Sequence, residues 1–257
     1  MKKFGFLNIA VDEQEVDIYI QGELISDDLK ALYEYFGISL QGTTPSEFKQ
    51  VLNDNKDKNL TVHIDSIGGD YFVGVAMYNA LMEHKGNTTA VIDGIAASAA
   101  TLPMVACNKV KMHACSTIMI HCASMGWTGG NANELMRDVE KLRVLDDTIA
   151  NAYEIKTNLK HDKILKLMAN ETWMDCREAK SKGFADEIDS RLVLSDDVIS
   201  NTLAVHKSIY ASARRPKVVV TKPIDEIIDK TKNLKREPMM DNTTIAFEFI
   251  QAKLKNM

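Results

Sequence analysis

The amino-acid sequence predicts an α/β protein in which helices cover a parallel β-sheet. Two successive strand–turn–helix units carry this prediction. In the first, a β-branched strand at residues 60–65 leads through a glycine pair to a helix at 71–84. In the second, a strand at 90–93 leads through a serine turn to a small-residue helix at 99–106. Parallel strands need a crossover of this kind, and both turns then lie at the carboxyl ends of strands, where such sheets bind ligands.

The chain before these units contains one predicted strand and two predicted helices. The strand is at residues 15–21, and the first helix is near 27–35. The second helix, at 45–52, begins at the sequence Thr44-Pro45-Ser46-Glu47, in which the threonine and the glutamate form a capping box. Proline stands at the first helical position, where its missing N–H removes no hydrogen bond.

The chain after these units begins with two short predicted strands, at residues 109–113 and 117–121. A loop containing three glycines separates them from a long helix at 131–158. Charged residues occupy one side of this helix, and the apolar side is formed by Leu135, Val139, Leu142, Leu145 and Ile149. The remaining predicted elements are a helix at 162–168, an extended segment at 171–175, a helix at 177–182 and a final turn and strand at 183–188.

The composition is that of an ordinary globular domain. The 257 residues are 45% hydrophobic and 26% charged, which allows a full core. The longest uncharged stretch, between Gly94 and Lys109, is interrupted by polar residues and is shorter than the about 20 apolar residues that cross a bilayer. Met1-Lys2-Lys3 begins like a signal peptide, but the apolar stretch behind it ends at Asp12-Glu13 without a cleavage site. We therefore expect a cytoplasmic protein with no membrane partner.

The cysteines and histidines do not form a metal-binding pattern. The four cysteines show no C-x-x-C spacing, and a cytosolic chain keeps such thiols reduced. His113, Cys115, His121 and Cys122 are close in the sequence, but their spacing does not present four ligands to zinc tetrahedrally. We expect no metal and no other cofactor.

A domain boundary is predicted near residue 195, because the pattern of apolar residues degrades beyond it. The predicted parts are a domain at residues 1–195 and a basic, largely irregular C-terminal tail at 196–257. Within the tail, short regular segments are expected at 218–220 and 244–254. The tail contains three of the five prolines, and we expect the folded core not to need it.

The charge of the chain is divided unequally along its length. The net charge is −5, whereas residues 207–257 contain eleven Lys and Arg against six Asp and Glu. A basic segment can bind nucleic acid or an acidic partner. Here acidic residues are interleaved with the basic ones and no aromatic platform accompanies them. We therefore expect a solvated tail and no nucleic-acid partner.

A serine and a histidine are the candidate catalytic pair. Ser98 lies in the run Gly94-Ile95-Ala96-Ala97-Ser98-Ala99-Ala100, whose small side chains let both a substrate and a base approach the hydroxyl. His121, at the end of an apolar strand, is the candidate base. The N–H groups of Gly69 and Ala99 are candidate donors to an oxyanion. Taken singly, each feature also fits a structural role: close packing of a small-residue helix, or a core histidine bonded to backbone.

The order and spacing of four segments give the chain its family resemblance. The segments are Asp65-Ser66-Ile67-Gly68-Gly69-Asp70, Gly94-Ile95-Ala96-Ala97-Ser98, Met119-Ile120-His121 and residues 178–186. In these the chain resembles the Clp protease proteolytic subunit family, and especially the bacteriophage head-maturation (prohead) proteases. The resemblance covers residues 11–194. It implies the spiral of strand-strand-helix units that this family shares with crotonases, with a projecting handle helix at 131–158.

The resemblance also implies the roles of individual residues. It assigns the nucleophile to Ser98, the general base to His121, and the oxyanion hole to Gly69 and Ala99. Counted back from the segment at 178–186, the position at which the family usually carries aspartate holds Glu171. Glutamate can orient a histidine as aspartate does, and Asp175 is the alternative acid.

The function implied is that of a serine-type endopeptidase that acts on protein or peptide substrates as a homo-oligomeric ring. The sequence contains no G-x-x-x-x-G-K-[ST] motif, so unfolding of a substrate would require a separate ATPase. The long tail favours phage-type enzymes, which trim capsid and scaffold proteins inside an assembling prohead. Two alternatives stay open. One is a crotonase-type acyl-CoA enzyme, which would leave the Ser98–His121 pair unexplained, and the other is a catalytically silent assembly scaffold of the same fold.

Overall fold

The computed structural model describes residues 2–4, 7–11, 15–40, 42–126, 128–189, 196–213 and 218–220. These residues form two compact units. The larger unit contains the described residues up to 27 and from 42 to 213, and the smaller contains 28–40 and 218–220. All the candidate catalytic and oxyanion residues belong to the larger unit.

Twelve strands are found among the described residues. In chain order they are β1 (Lys2–Phe4), β2 (Leu7–Val11), β3 (Glu15–Leu24), β4 (Ile38–Leu40), β5 (Gly42–Thr43), β6 (Asn59–Gly69), β7 (Thr88–Ala97), β8 (Lys109–His113), β9 (Thr117–Ile120), β10 (Thr172–Asp175), β11 (Glu187–Asp189) and β12 (Val218–Val220). In the smaller unit β12 pairs antiparallel with β4, so that Val219 lies opposite Ser39. The other ten strands form one sheet.

Eight α-helices are found in the same part of the chain. They are α1 (Asp27–Tyr35), α2 (Pro45–Asp54), α3 (Tyr71–Met82), α4 (Thr101–Ala106), α5 (Ala132–Thr157), α6 (His161–Ala169), α7 (Cys176–Ser181) and α8 (Asp196–Ala213). A short 3₁₀ turn, Ser98–Ala100, joins β7 to α4. Among these described helices, none combines the length and the apolar character needed to cross a lipid bilayer.

The centre of the sheet is parallel, as the sequence predicts. Its main path is β1-β2-β3-β6-β7-β8-β11, in which the strands from β3 to β11 run parallel and β1 and β2 add antiparallel at one edge. Ile18, Val62 and Ile92, from three adjacent strands, are fully buried in the main core. Helices α2 and α3 add Phe48 and Met77 to the same core. The α/β class and the parallel sheet are therefore confirmed.

Strand β7 changes partner along its length. Residues 89–92 pair with β8, whereas residues 95–97 pair in parallel with β9, to which β10 adds antiparallel. The carboxylate of Asp65 supports the change, because its Oδ1 accepts a hydrogen bond of 3.2 Å from the N–H of Ile95. The carboxyl ends of β7 and β9 consequently lie side by side, and they carry the serine turn and the candidate base.

Helix α5 has an exposed first half and a buried second half. Its N-terminus has the capping box formed by Asn131 and Glu134, whereas residues buried in the core begin at Ile149. Leu135 and Val139, on the predicted apolar side, are 41% and 40% exposed. The first half of α5 therefore projects from the larger unit without a partner on its apolar side among the described residues.

Helix α8 occupies residues for which the sequence predicted irregular chain. Two of its apolar residues, Leu203 and Tyr210, are spaced seven apart and so share one face; Tyr210 packs on Trp173 of β10. Because of this packing α8 belongs to the larger unit, and the predicted boundary near residue 195 does not coincide with the division into units. Apart from β12, the rest of the predicted tail, including the expected helix at 244–254, lies outside the described residues.

Candidate active site

The candidate nucleophile stands on a strained turn. Ser98 follows β7 directly and has φ 55°, in the left-handed region that residues other than glycine rarely adopt. Thr101 holds this turn, because its hydroxyl donates a 2.5 Å hydrogen bond to the carbonyl oxygen of Ser98. Backbone strain of this kind persists where surrounding contacts enforce it, and it concentrates at functional sites.

A buried tyrosine completes the support of the serine turn. The hydroxyl oxygen of Tyr153, on α5, lies 2.6 Å from Thr101 Oγ1. Since the single hydroxyl hydrogen of Thr101 is given to Ser98, the hydrogen of this second bond comes from Tyr153. Burial raises the pKa of Tyr153 well above its usual value, so the phenol remains a donor. Sequence reasoning missed both residues, because neither lies in a motif and 52 positions separate them.

The candidate base lies within hydrogen-bond reach of the serine. His121 follows β9, and its Nε2 is 2.7 Å from Ser98 Oγ. The parallel pairing of β7 with β9, which places Ala97 opposite Met119, brings the two strand ends together. The structure thus unites two residues that the sequence singled out separately, in the geometry that nucleophilic catalysis by serine requires.

The segment after His121 is fastened to helix α5 through Asp146. Asp146 Oδ1 accepts a 2.7 Å hydrogen bond from the N–H of Ala123. Burial, followed by the negative charge of Asp146, raises the pKa of the Cys122 thiol to about 11. Cys122 therefore stays protonated at neutral pH and does not compete with Ser98 as a nucleophile.

The strand register distinguishes the two candidate acids. In the antiparallel pair of β10 with β9, the last residue pair is Thr172 with Ile120, and Glu171 and His121 are the residues that adjoin this pair along the chain. Asp175 lies opposite Thr117, four residues and about 13 Å further from the base along the strand. The pairing favours Glu171 over Asp175 as the partner of His121.

The side chains of the two acids make different contacts. Glu171 Oε1 accepts a 3.2 Å hydrogen bond from the indole N–H of Trp173, and the backbone of Glu171 is left-handed, with φ 45°. Asp175 caps helix α7, because its Oδ1 accepts hydrogen bonds of 2.9 Å from the N–H groups of Arg177 and Glu178. Asp175 thus has a structural role that accounts for its position.

The glycine pair packs against the serine turn. A Cβ atom at Gly68 would lie 2.6 Å from the carbonyl oxygen of Ala97 and 2.7 Å from Ser98 Cβ, and the backbone there has φ +91°. A Cβ atom at Gly69 would lie 2.3 Å from the carbonyl oxygen of Leu24, at φ +146°. Both positions therefore require glycine, which explains the motif in physical terms.

The two candidate oxyanion residues, Gly69 and Ala99, belong to segments that adjoin the serine turn. The N–H groups on either side of Gly69 bond within the protein: that of Gly68 donates to Ser66 Oγ at 3.2 Å, and that of Asp70 to the carbonyl oxygen of Leu24 at 2.9 Å. Ala99 is the second residue of the 3₁₀ turn, adjacent to Ser98. Gly69 and Ala99 both line the cavity that contains Ser98 and His121.

One cavity of about 320 Å³ contains these groups. Its lining includes four predicted site residues, Gly69, Ser98, Ala99 and His121. The rest of the lining comes chiefly from α3 and α5 and the segment after His121, and is largely apolar, including Tyr71, Phe72, Leu102, Met125, Leu142, Leu145, Ile149 and Tyr153. An extended peptide segment with an apolar side chain matches this combination of a polar end and an apolar wall.

The two histidines of the set His113, Cys115, His121 and Cys122 contact different partners. His113 lies 3.6 Å from Asp93 and 3.5 Å from Asp189, on the main sheet, whereas His121 contacts Ser98. Within the described residues, no group of three or more His, Cys, Asp and Glu has an arrangement suited to a metal ion.

Comparison with known proteins gives one family. The family model for Clp protease matches residues 14–191. The proteolytic subunit of the ATP-dependent Clp protease from Deinococcus radiodurans is 28% identical over 138 residues, which are 53% of this chain and 67% of the relative. The subunit of the same name from Bacteroides fragilis (strain ATCC 25285) is 27% identical over 190 residues, 72% of this chain and 91% of the relative.

A solved structure supports the fold independently. A point mutant of ClpP1 from Listeria monocytogenes superposes with a TM-score of 0.53 at 19% identity, covering 71% of this chain and 94% of that chain. At this identity the likeness concerns the fold alone. The predicted Clp-type fold is therefore confirmed, while helix α8 begins beyond the end of the family match.

Proposed function

The chain belongs to the Clp protease family, which indicates a protease, and on that premise we propose a serine endopeptidase whose nucleophile is Ser98 and whose general base is His121. Glu171 is the proposed orienting acid. The observation that carries the proposal is the 2.7 Å contact between Ser98 Oγ and His121 Nε2. That contact lies in the cavity that also presents the proposed oxyanion donors.

In the proposed first step, Ser98 Oγ attacks the carbonyl carbon of the scissile bond while its proton moves to His121 Nε2. Nε2 can accept that proton only when the ring is neutral and its single hydrogen is on Nδ1. Glu171, which adjoins β10 at the end where His121 adjoins β9, would favour this tautomer and stabilise the imidazolium that forms. The remaining negative charge develops on the substrate oxygen.

The N–H groups of Gly69 and Ala99 would stabilise that oxygen. The tetrahedral intermediate then collapses, the C–N bond breaks, and His121 Nε2 gives its proton to the leaving amine. A water molecule, deprotonated by His121, attacks the ester carbon in the second half of the reaction. The peptide acid leaves, and the proton taken from water restores the Ser98 hydroxyl.

For the substrate we propose a peptide with an apolar side chain near the scissile bond. The support is the apolar wall formed by Leu142, Leu145 and Ile149 of α5. Phe72, at the start of α3, also lines the cavity and is 71% exposed. An exposed aromatic ring beside the nucleophile offers a contact surface for an extended peptide.

We propose that the active form is a homo-oligomeric ring in which the projecting half of α5 contacts another copy of the chain. This half carries four exposed apolar side chains, Leu135, Met136, Val139 and Val144. Several exposed apolar side chains on one part of a helix are typical of a surface that another protein covers. Native mass measurement tests the proposal, and a protein that is monomeric and fully active at micromolar concentration would contradict it.

We propose two alternative ways in which the enzyme receives protein substrates. The relatives named above are proteolytic subunits of an ATP-dependent protease, which favours delivery of unfolded substrate by a separate ATPase. The residues beyond the family match, from 192 to 257, favour the second alternative, the processing of phage capsid or scaffold proteins. Digestion of an unfolded protein and of assembled capsid, each with and without an ATPase, distinguishes the two.

The direct test is reaction with a fluorophosphonate followed by mass spectrometry of the peptides. We expect one adduct, on Ser98, that is lost in Ser98→Ala and strongly slowed in His121→Ala. A protein that hydrolyses peptides but gives no adduct on Ser98 would show that another nucleophile acts. A protein that neither reacts nor hydrolyses peptides would favour the crotonase-type enzyme or the silent scaffold.

A further inference from the structure

Helix α8 packs against the strands that carry the active site, although it lies outside the family match. The match ends at residue 191, and α8 begins at Asp196. Tyr210 of α8 is 6% exposed, and its ring meets that of Trp173 edge to face, with 5.2 Å between centroids and 78° between planes. Aromatic pairs in this geometry stabilise an interface beyond the area that they bury.

A polar contact four residues earlier fixes the same helix. His206 Nδ1 lies 2.8 Å from Thr117 Oγ1, at the start of β9. The two contacts join one face of α8 to β9, which leads to His121, and to β10, which follows Glu171. The helix is therefore fixed on both strands of the antiparallel pair.

The apolar cluster beneath α8 includes a residue close to each part of the site. It contains Ala97, Met119, Trp173 and Tyr210, with Ile67 packed against it. Ala97 immediately precedes the nucleophile, and Met119 stands two residues before the base. The cluster therefore joins α8 to the ends of the strands that lead to Ser98 and His121.

The connection to the acid is the most direct. The indole N–H of Trp173 donates to Glu171 Oε1 at 3.2 Å, and the backbone of Glu171 is strained at φ 45°. A strained residue keeps its conformation only while its surroundings enforce it. The ring of Tyr210 packs on the indole that makes this hydrogen bond.

We propose that Tyr210 is a positioning residue of the active site, acting through Trp173 to orient Glu171. The inference rests on the proposed function, because Glu171 matters only if it serves His121. It assigns a role to a helix beyond the family match. It also implies that residues 196–213 are required for full turnover, contrary to the expectation of a dispensable tail.

Tyr210→Ala, Tyr210→Phe and Val205→Ala provide the test in the full chain. Val205 is 54% exposed on the same helix and serves as the matched control. Misplacing a catalytic group by about 1 Å can cost on the order of 10²-fold in rate, so we expect kcat of Tyr210→Ala to fall between about 10- and 100-fold with KM little changed. Tyr210→Phe retains the ring and should remain within about twofold of the wild type, as should Val205→Ala.

The pH profile separates positioning from simple loss of stability. The acid limb of kcat/KM reports the pKa of the free base, and an imidazolium that has lost its oriented carboxylate titrates at lower pH. In Tyr210→Ala this limb should move to lower pH. The profiles are measured at a temperature well below the thermal unfolding midpoint of each variant. If Tyr210→Ala fails to fold, Trp173→Phe, which keeps a ring but removes the N–H donor, should show the same shift.

Several outcomes overturn the proposal. They are an unchanged kcat and acid limb in Tyr210→Ala or Trp173→Phe, a Tyr210→Phe variant as impaired as Tyr210→Ala, and an equal loss in Val205→Ala. In each of these cases wild-type labelling of Ser98 by a fluorophosphonate leaves the proposed function standing. A wild-type protein with no labelling and no hydrolysis overturns both proposals together.

Discussion

Tyr153 of α5 and Thr101 of α4 share a hydrogen bond of 2.6 Å between their hydroxyl oxygens. Through this bond the helix that projects from the domain holds the threonine that in turn binds the carbonyl oxygen of Ser98. The strained nucleophile turn is thus tied to α5 at one point, and the segment after His121 is tied to α5 at another, through Asp146. Nucleophile and base are supported by the same helix.

Tyr153→Phe should lower turnover without unfolding the protein. The substitution removes the hydroxyl that donates to Thr101, and a buried hydrogen bond contributes about 1 kcal/mol to stability. We expect kcat to fall several-fold, because the φ 55° conformation of Ser98 loses part of its support. Tyr78→Phe, at a partly buried tyrosine of α3 outside the cavity, is the control, and an equal loss in both variants would contradict this explanation.

Ser98→Ala should abolish peptide hydrolysis and leave the fold intact. The serine is the proposed nucleophile, and removing its hydroxyl creates little empty volume. His121→Ala should be similarly impaired, and the double variant no worse than either, since residues that act as a unit are not additive. Peptide turnover and thermal unfolding measure the two effects. Near wild-type turnover in Ser98→Ala would rule out the assignment of the nucleophile.

Glu171→Gln and Asp175→Asn should have opposite consequences. A neutral amide in place of the proposed orienting carboxylate favours the wrong tautomer of His121, which in serine proteases can cost on the order of 10⁴ in kcat. Asn and Asp are about equally good helix caps, so Asp175→Asn should change neither turnover nor stability appreciably. If Asp175→Asn is the impaired variant, the acid has been assigned four residues too early.

Gly68→Ala should damage both folding and catalysis. The new Cβ would lie 2.6 Å from the carbonyl oxygen of Ala97, and alanine would have to adopt φ +91°. Backbone strain of this kind costs about 1–3 kcal/mol, besides displacing the serine turn. Gly126→Ala is the matched control, since its Cβ would meet no atom within 4 Å. Chemical denaturation should show a lowered midpoint for Gly68→Ala and little change for Gly126→Ala.

Acidification should weaken the docking of α8 through His206. Burial lowers the pKa of His206 from its usual 6.5, against an opposing effect of Asp65, so the unfolded chain takes up the proton at higher pH than the folded one. Stability is then full above the unfolded pKa and is lost as the pH falls from about 6.5 through the folded pKa. His206→Gln cannot titrate, so its unfolding midpoint should fall less than that of the wild type between about pH 7.5 and about pH 5.5. An equal fall in both would exclude His206 as a source of the pH dependence.

A structural feature can be predicted from the sequence when the interactions that cause it are between residues close together in the chain. Local patterns predicted the strand at 109–113 and the capped helix starting at Pro45, because hydrophobic period and capping chemistry act within a few residues. The pairing of Ser98 with His121 was predicted from the order and spacing of the family's segments. The contact of Trp173 with Tyr210 was not, since it depends on two elements meeting in space, and neither aromatic residue stands in a chemical motif.

Helix α8 is a regular element in residues 196–213, for which the sequence predicted irregular chain. Its packed face is narrow and includes Leu203, His206 and Tyr210, so the hydrophobic period that marks a buried helix is weak. The residues after α8 contain three prolines, and their composition led to the prediction of irregular chain for the whole C-terminal part. Tertiary contact with β10, invisible to local pattern, stabilises the helix instead.

The change of partner along β7 also has a consequence for local opening. The layer formed by β9 and β10 joins the main sheet in the described structure through three residue pairs, at Ile95, Ala96 and Ala97. The backbone hydrogen bonds of this layer can therefore open without disturbing those that join β3, β6, β7, β8 and β11 in the main path of the sheet. Amide hydrogen exchange should divide the molecule accordingly, with faster exchange at β9 and β10 than at β6. Strands β9 and β10, which adjoin His121 and Glu171, would then form a cooperative unit of their own, less protected than the sheet that bears them.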